Sequence, residues 1–417
     1  SRTQPIGRGS PSARSTIRVG FLRLPRTVAA ALGDRIRPLC SWLCVGFAGA
    51  LLAACGQSTP DVSLASRTKA PTRESSDAPL VNVATFGGEI APETLPSFTS
   101  ETGITVNYES YDLNQVLETR LLAGTTGFDV VVPSNNFVEG QIEAGVYQKL
   151  DKPNLPNLKD LDPAMLKQLE HNDPANQHAV PYLWGTDSLG YDVAKVEAAL
   201  GGPAPDSWAL LFDPRNAAKL ARCGIIVPDV PWIMISQALL YLGRDPSSER
   251  PEDLAAAMAT LQAIRPYVRD FITATVTQQL VDGQACIAIG PNSEFRAAQQ
   301  LARETGRNLD IRYVIPREGA ILWMDVLAIP VDAPHPENAH RLINYLLRPD
   351  VIAKVTESTG LANATLSSAP LVAAELRTDP LVYPDTASMP RLHMIKSHSD
   401  EYSRQQNREF TRFRTGQ

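Results

Sequence analysis

Apolar and polar residues along this chain follow two different periods. Val81-Asn82-Val83-Ala84, Ile104-Thr105-Val106 and Asp129-Val130-Val131-Val132 are short runs rich in β-branched residues, the pattern of strands. Between them Leu113, Val116, Leu117 and Leu121 recur at helical spacing, starting after Asp112 and stopping at Gly124. Leu254, Met258, Leu261 and Ile264 form a second apolar stripe, and Leu342, Ile343 and Leu346 a third that ends before Pro349. Each stripe reads as the buried face of a helix. Strands alternating with helices predict an α/β fold whose mostly parallel sheet is covered on both faces. No internal repeat breaks the pattern.

The N-terminal part has a different character. Leu43 to Ala54 is too short an apolar stretch to span a bilayer comfortably, and with Arg35 and Arg37 ahead of it, it has the length of a signal-peptide core. It closes on Leu52-Ala53-Ala54-Cys55 followed by Gly56, which resembles the bacterial lipobox, where the Cys receives a lipid and the preceding peptide is removed. The alternative is a Cys simply buried in an apolar segment. Residues 57 to 78 are rich in Ser, Thr, Pro and charge and cannot bury enough apolar surface to order themselves, so a tether is expected there. Residues 1 to 34 carry many Arg and no Met, the first Met being Met165. They read as a start assigned upstream of the true signal, and no function is assigned to them.

Setting the leader aside changes the charge. The 39 Lys+Arg and 45 Asp+Glu of the whole chain become 31 and 44 once the eight Arg and one Asp of residues 1 to 54 are removed, a net charge of about −13. Such a surface argues against nucleic acid, whose binders need a basic patch, and suits a cationic ligand. The roughly 340 residues after the tether exceed the size at which one core stops growing, so two domains are expected.

From about Leu80 onward the chain resembles the periplasmic putrescine- and spermidine-binding proteins of ABC transporters. The segments that carry the resemblance are Glu101-Thr102-Gly103-Ile104 with Val106, Gly127-Phe128-Asp129 running into Val132-Pro133-Ser134, and Pro181-Tyr182 through Gly190-Tyr191. Asp206-Ser207-Trp208 and Asn344-Tyr345-Leu346-Leu347-Arg348-Pro349-Asp350 complete it. Each is modest alone; their order and spacing over the mature chain are what specify the family.

The resemblance implies a periplasmic-binding-protein type II fold: two α/β lobes joined by crossing segments, with the ligand between them. The crossings are expected at Leu183 to Tyr191, near Pro316 to Asp325, and after Gly360. The organisation that follows is a leader over 1–54, a lipidated Cys and tether over 55–78, a first lobe from 79–184 plus 320–358, and a second from 188–316 plus 363–417. The family carries a disulfide at the positions of Cys223 and Cys286, which suits an exported protein.

A diamine site must replace the water around two ammonium groups with carboxylates, and aromatic walls favour its methylene chain. Asp325, in Trp323-Met324-Asp325-Val326, stands where the family has a ligand-binding Asp two residues after an aromatic, so Trp323 and Asp325 carry over; the alternative is an Asp that braces the crossing strand. Ser134 to Asn136 corresponds to a ligand-facing turn, with Asn136 in place of the usual Ser. Elsewhere the pattern departs. Phe86 keeps the aromatic of the first turn but the family's Asp becomes Gly88, and Glu89 either compensates or is a solvated acid near a helix start. Trp232 and Ile233 replace an acidic pair, Pro291 a cleft Trp, Leu361 a Tyr, and Glu294 a ligand-facing Asp.

Two readings of the pocket follow: an acidic cage of Glu89, Glu294, Asp325 and Asp187 walled by Phe86, Trp184, Trp232 and Trp323, or a greasier pocket for a monocationic or larger amine. The resemblance names an ABC permease and ATPase as partners; a monomer is expected, held to the membrane only by the lipid on Cys55. A ligand sensor working through a membrane receptor would use the same cleft. Enzyme signatures such as a P-loop, HExxH, G-x-S-x-G or Cys-x-x-Cys are absent from the sequence. His171, His178, His335, His340, His393 and His398 are scattered and read as surface residues, implying neither metal nor cofactor.

Overall fold

A computed structural model describes residues 78–272 and 275–417. The expected leader and the lipidation site at Cys55 lie outside the described residues. Among the described residues the strands form one mixed sheet: β1 Leu80–Phe86, β2 Thr105–Tyr111, β3 Val130–Val131, β4 Ala179–Asp192, β5 Ile225–Pro228, β6 Val268–Ile272, β7 Ile287–Pro291, β8 Ile311–Val314, β9 Ala320–Ala328, β10 Ala362–Asn363 and β11 Leu392–Met394. The order along it is β2-β1-β3-β9-β4-β7-β5-β6, with β8 and β10 on β4 and β11 on β9.

The parallel part that alternation predicts is present twice. β1 pairs parallel with β2 and β3 at one end, and β5 pairs parallel with β6 and β7 at the other. Joining them are two strands that run antiparallel to each other, β4 and β9. β4 is fourteen residues long and buried throughout. Its first half, Ala179 to Trp184, packs in a core with Val81, Phe98, Met165, Leu322 and Ile352, while Leu189 and Tyr191 pack in a second core with Trp208, Ile225, Leu239 and Ile287. These two cores are the two lobes, and β4 is the first crossing between them.

The helical stripes Leu254, Met258, Leu261, Ile264 and Leu342, Ile343, Leu346 are buried on the helices Pro251–Ile264 and Pro336–Leu346. The stripe on Asn114–Ala123 is narrower than the spacing suggested. Leu117 and Leu121 point into the core, whereas Leu113, at the N-cap, and Val116 are 56% and 48% exposed. Only one i, i+4 pair fits against the edge of a sheet that ends at β2.

The C-terminal segment also differs from expectation. Ala362, Ala364, Val372, Leu376, Val382, Leu392 and Met394 pack into the first core, through the short strands β10 on β4 and β11 on β9. The chain reaches the second core at the helix Asp400–Thr415, whose Tyr402, Phe410 and Phe413 pack there. Leu381, between Leu376 and Val382, packs with Phe295 and Ile311, so the segment after Gly360 touches both lobes before the helix Asp400–Thr415 joins the second core. Segments built from two- and three-residue strands and single helical turns carry too little periodicity to be assigned to a core from sequence.

Within the second lobe Cys223 and Cys286 form a disulfide, Cα–Cα 5.4 Å, which ties the chain before β5 to the chain before β7. Of the six histidines expected at the surface, His171 is exposed and the other five are half-buried or buried. His335 and His178 face the buried carboxylates of Asp129 and Asp173, each at 3.0 Å, and His340, 6% exposed, accepts the Asp151 N–H. They brace loops, satisfying buried backbone and carboxylate groups.

Candidate functional site

The turn after β1 brings the first acid inward. Phe86 ends the strand, and Gly88 takes a φ of +88°, a left-handed conformation that a side chain would strain. The turn places Glu89 at 6% exposure, its backbone N–H on the Phe86 carbonyl at 3.4 Å and its carbonyl accepting from the Tyr182 hydroxyl at 2.9 Å. Of the two sequence readings of Glu89, the solvated one does not apply.

Asp325 comes from the middle of β9. It is 5% exposed, and its Oδ1 accepts from the Ser134 hydroxyl at 2.5 Å. Asn114 exchanges hydrogen bonds with Ser134 at 3.0 Å in both directions, which fixes the donor. Asp187 lies on β4 between the two cores, also 5% exposed, and its carbonyl accepts from the Gln237 amide at 2.7 Å.

These three carboxyls interact. Burial, then the charge of Asp325, then a hydrogen bond between the two carboxyls push Glu89 well above the usual carboxylate range. Burial raises Asp325 as well, against hydrogen bonds from Glu89 and Ser134 that favour its charged form. Asp187 is pushed up to about 7 by burial and, second, by the charge of Asp325. Among the described residues no Lys or Arg acts on any of the three. Two buried acceptors beside them lack a partner, Glu89 Oε2 and Gln237 Oε1. Buried acids without a cation are costly, and a site with this excess of acceptors can satisfy a donor-rich cation.

Aromatic rings border the acids. The Phe86 and Tyr111 centroids are 4.7 Å apart, and burial and the charges of Glu89 and Asp325 raise the Tyr111 hydroxyl, which donates to the Val132 carbonyl at 2.5 Å. Trp323 lies against the backbone of Gly185, where an added Cβ would come within 2.4 Å of the ring and 2.5 Å of Asn292 Oδ1. Gly185 is thus the seat of the indole. The Trp184 ring is buried and its N–H donates to the Asn363 carbonyl at 3.1 Å.

Glu294, Asn136 and Trp232, also expected at the site, are not hydrogen-bonded to these acids. The Glu294 carboxylate accepts the N–H and the hydroxyl of Thr277, at 2.9 and 2.5 Å, at the start of the helix Val276–Val281. Asn136 and Trp232 line a groove of about 730 Å³ between the lobes that none of the three acids lines. Ile233 and Leu361 pack against the second and first cores. Ser134 belongs to the turn expected to face the ligand, whereas Gly185 and Gln237 were not singled out from sequence as ligand-site residues. Gln237 had a visible signal, a lone amide in the apolar run Ile233 to Leu240.

The comparisons with known proteins are consistent. Residues 94–384 match the family model of bacterial extracellular solute-binding proteins. The chain is 42% identical over 344 residues to a putrescine-binding periplasmic protein of Pseudomonas aeruginosa, covering 82% of this chain and 94% of that protein. It is 40% identical over 338 residues to the putrescine-binding periplasmic protein of Escherichia coli, covering 81% and 91%. Among solved structures it resembles a spermidine/putrescine transporter substrate-binding protein of Streptococcus pneumoniae, with a TM-score of 0.70 and 25% identity over 81% of this chain and 99% of that one.

Proposed function

We propose, since this chain belongs to the bacterial extracellular solute-binding proteins, that it is the receptor of an ABC importer and captures a di- or triamine of the putrescine and spermidine kind between its lobes. It is a binding protein and not an enzyme. The observation that carries the ligand class is the trio of buried carboxyls, Glu89, Asp187 and Asp325, on which no basic side chain among the described residues acts.

Charge matching favours a diammonium. Burial and the charge of Asp325 favour the protonated form of Glu89, and two ammonium groups would stabilise the ionised forms of Asp325 and Asp187. Phe86 and Trp323 offer π faces to the methylene chain and to the cationic ends. The acids are buried, so the lobes part to admit the amine and close over it, the closed form being favoured by its higher affinity.

The closed form is what a membrane permease and its ATPase would recognise. The protein works in the periplasm, as a monomer held to the membrane through Cys55; the basic flank, short apolar core and small residues before that Cys support the anchor. Among the described residues no helix is long and apolar enough to cross a membrane.

The function is tested by calorimetry and thermal shift on residues 57–417 with putrescine, cadaverine, spermidine, spermine, agmatine and a set of amino acids. A di- or triamine should bind and raise the melting temperature. No response to any amine would show that the fold is shared and the ligand is not.

Two further outcomes follow from the site. Ammonium binding favours ionised Asp187, whose free carboxyl titrates at about 7. Affinity should therefore fall about tenfold per pH unit below 7 and level off above it, while the amines stay protonated to roughly pH 10. Titrations in buffers of different ionisation heat should show a proton released on binding near pH 6; a flat profile would remove Asp187 from the site. Separately, Gly185→Ala should displace Trp323 and weaken amine binding about tenfold, a size typical of a desolvated cation–π contact.

A further inference from the structure

Two asparagines stand at equivalent places in the two lobes. Asn135 opens the helix Asn135–Glu143 and Asn292 opens the helix Asn292–Glu304, and both are 2% exposed. Asn135 Oδ1 accepts the Met324 N–H at 3.0 Å, and its Nδ2 donates to the Ile395 carbonyl at 3.1 Å and to Asn172 Oδ1 at 3.4 Å. Asn292 Oδ1 accepts the Thr186 N–H at 3.1 Å, and its Nδ2 donates to the Leu381 carbonyl at 2.5 Å.

The correspondence extends to the acids. Each carboxamide holds the N–H of a strand shared by the lobes and the carbonyl of the C-terminal segment. In each case the held N–H lies one residue before a buried acid, Met324 before Asp325 and Thr186 before Asp187. The residue before each asparagine also meets that same acid across the sheet, Ser134 opposite Asp325 and Pro291 opposite Asp187. Pinning one peptide of a strand sets its pleat, and with it the direction of the next side chain.

We propose that Asn135 and Asn292 are matched positioning residues, Asn135 aiming Asp325 and Asn292 aiming Asp187 at the ligand's ammonium groups; this rests on the amine-receptor reading above. The carboxamide suits the task because it is uncharged and offers an acceptor to the N–H and a donor to the carbonyl at once. Through Ile395 and Leu381 the same two side chains anchor the C-terminal segment that leads to the helix Asp400–Thr415.

Double-mutant cycles read by putrescine calorimetry test the pairing. Asn135→Ala and Asn292→Ala should each weaken binding about tenfold or more. Asn135→Ala should add less than about threefold in an Asp325→Asn background, and Asn292→Ala likewise in Asp187→Asn, while the crossed pairs multiply. If alanine prevents folding, the isosteric Asn135→Asp and Asn292→Asp, which keep the acceptor and lose the donor, enter the same cycles.

A ligand-free readout separates this proposal from the amine reading. In carboxyl carbon NMR titrations Asn292→Ala should move the Asp187 midpoint, and Asn135→Ala that of Asp325, each leaving the other acid in place. If the parent chain binds no di- or triamine, the amine reading fails and the titrations decide the pairing. Single variants that bind within about threefold of the parent with unmoved midpoints, or cycles in which matched and crossed pairs are equally additive, would overturn it.

Discussion

Asp325→Ala is expected to weaken diamine binding 100-fold or more while leaving the ligand-free fold intact. The carboxyl is buried, receives the Ser134 hydroxyl and lies against Glu89, so the bound ammonium would lose a partner it cannot replace with water. Removing one side of a buried charge pair costs about 3–5 kcal/mol, which sets the size of the loss. Asp325→Asn keeps the shape and removes the charge, and should be nearly as weak. Without ligand the outcome differs. The charge of Asp325 raises both Glu89 and Asp187, so its removal relieves repulsion and thermal unfolding of the free variant should not shift downward much. Calorimetry beside thermal unfolding checks both halves; affinity within a few fold of the parent would take Asp325 out of the site.

Asp187→Asn should stabilise the ligand-free protein and weaken binding at the same time. In the folded chain this carboxyl titrates at about 7, against 3.8 for the ordinary group. An unfolded chain loses the proton near pH 4 and the folded chain keeps it to about pH 7. The penalty is therefore absent below pH 4, grows between 4 and 7 and stays constant above. At pH 8 it amounts to about 4 kcal/mol, which the Asn variant recovers. The measurement is the melting temperature of both proteins from pH 4 to 8: the curves should coincide at the acid end and separate by neutrality. Parallel curves would mean that Asp187 is ionised without cost. Amine should narrow the gap, because it stabilises the parent far more than the variant.

How far the sequence discloses this molecule depends on the kind of interaction. The strands from Val81 and Asp129 and the stripes on Pro251–Ile264 and Pro336–Leu346 were visible because burial repeats at a helical or strand period. The course of residues 362–394 was not, since β10 and β11 hold by pairing with β4 and β9, a relation between distant residues with no local signature. The same holds within the site. The motif drew attention to Asp325, which is buried, but could not show that Glu294, with the same charge, accepts from Thr277. Glu89 turns inward because Gly88 takes a left-handed φ, a property of the folded turn. His335 and His340 looked like loop residues because nothing local announces Asp129 or the Asp151 N–H as partners.

The long strand β4 has a bearing on how the protein comes apart. Its first residues complete one core and its last complete the other, all of them buried, so neither half can melt without stripping a strand from its neighbour. Calorimetric unfolding of the free chain should then show one endotherm, with calorimetric and van't Hoff enthalpies equal. Cutting the chain between Asp187 and Leu189 would leave two fragments, each exposing a torn sheet edge, that recover structure only by recombining.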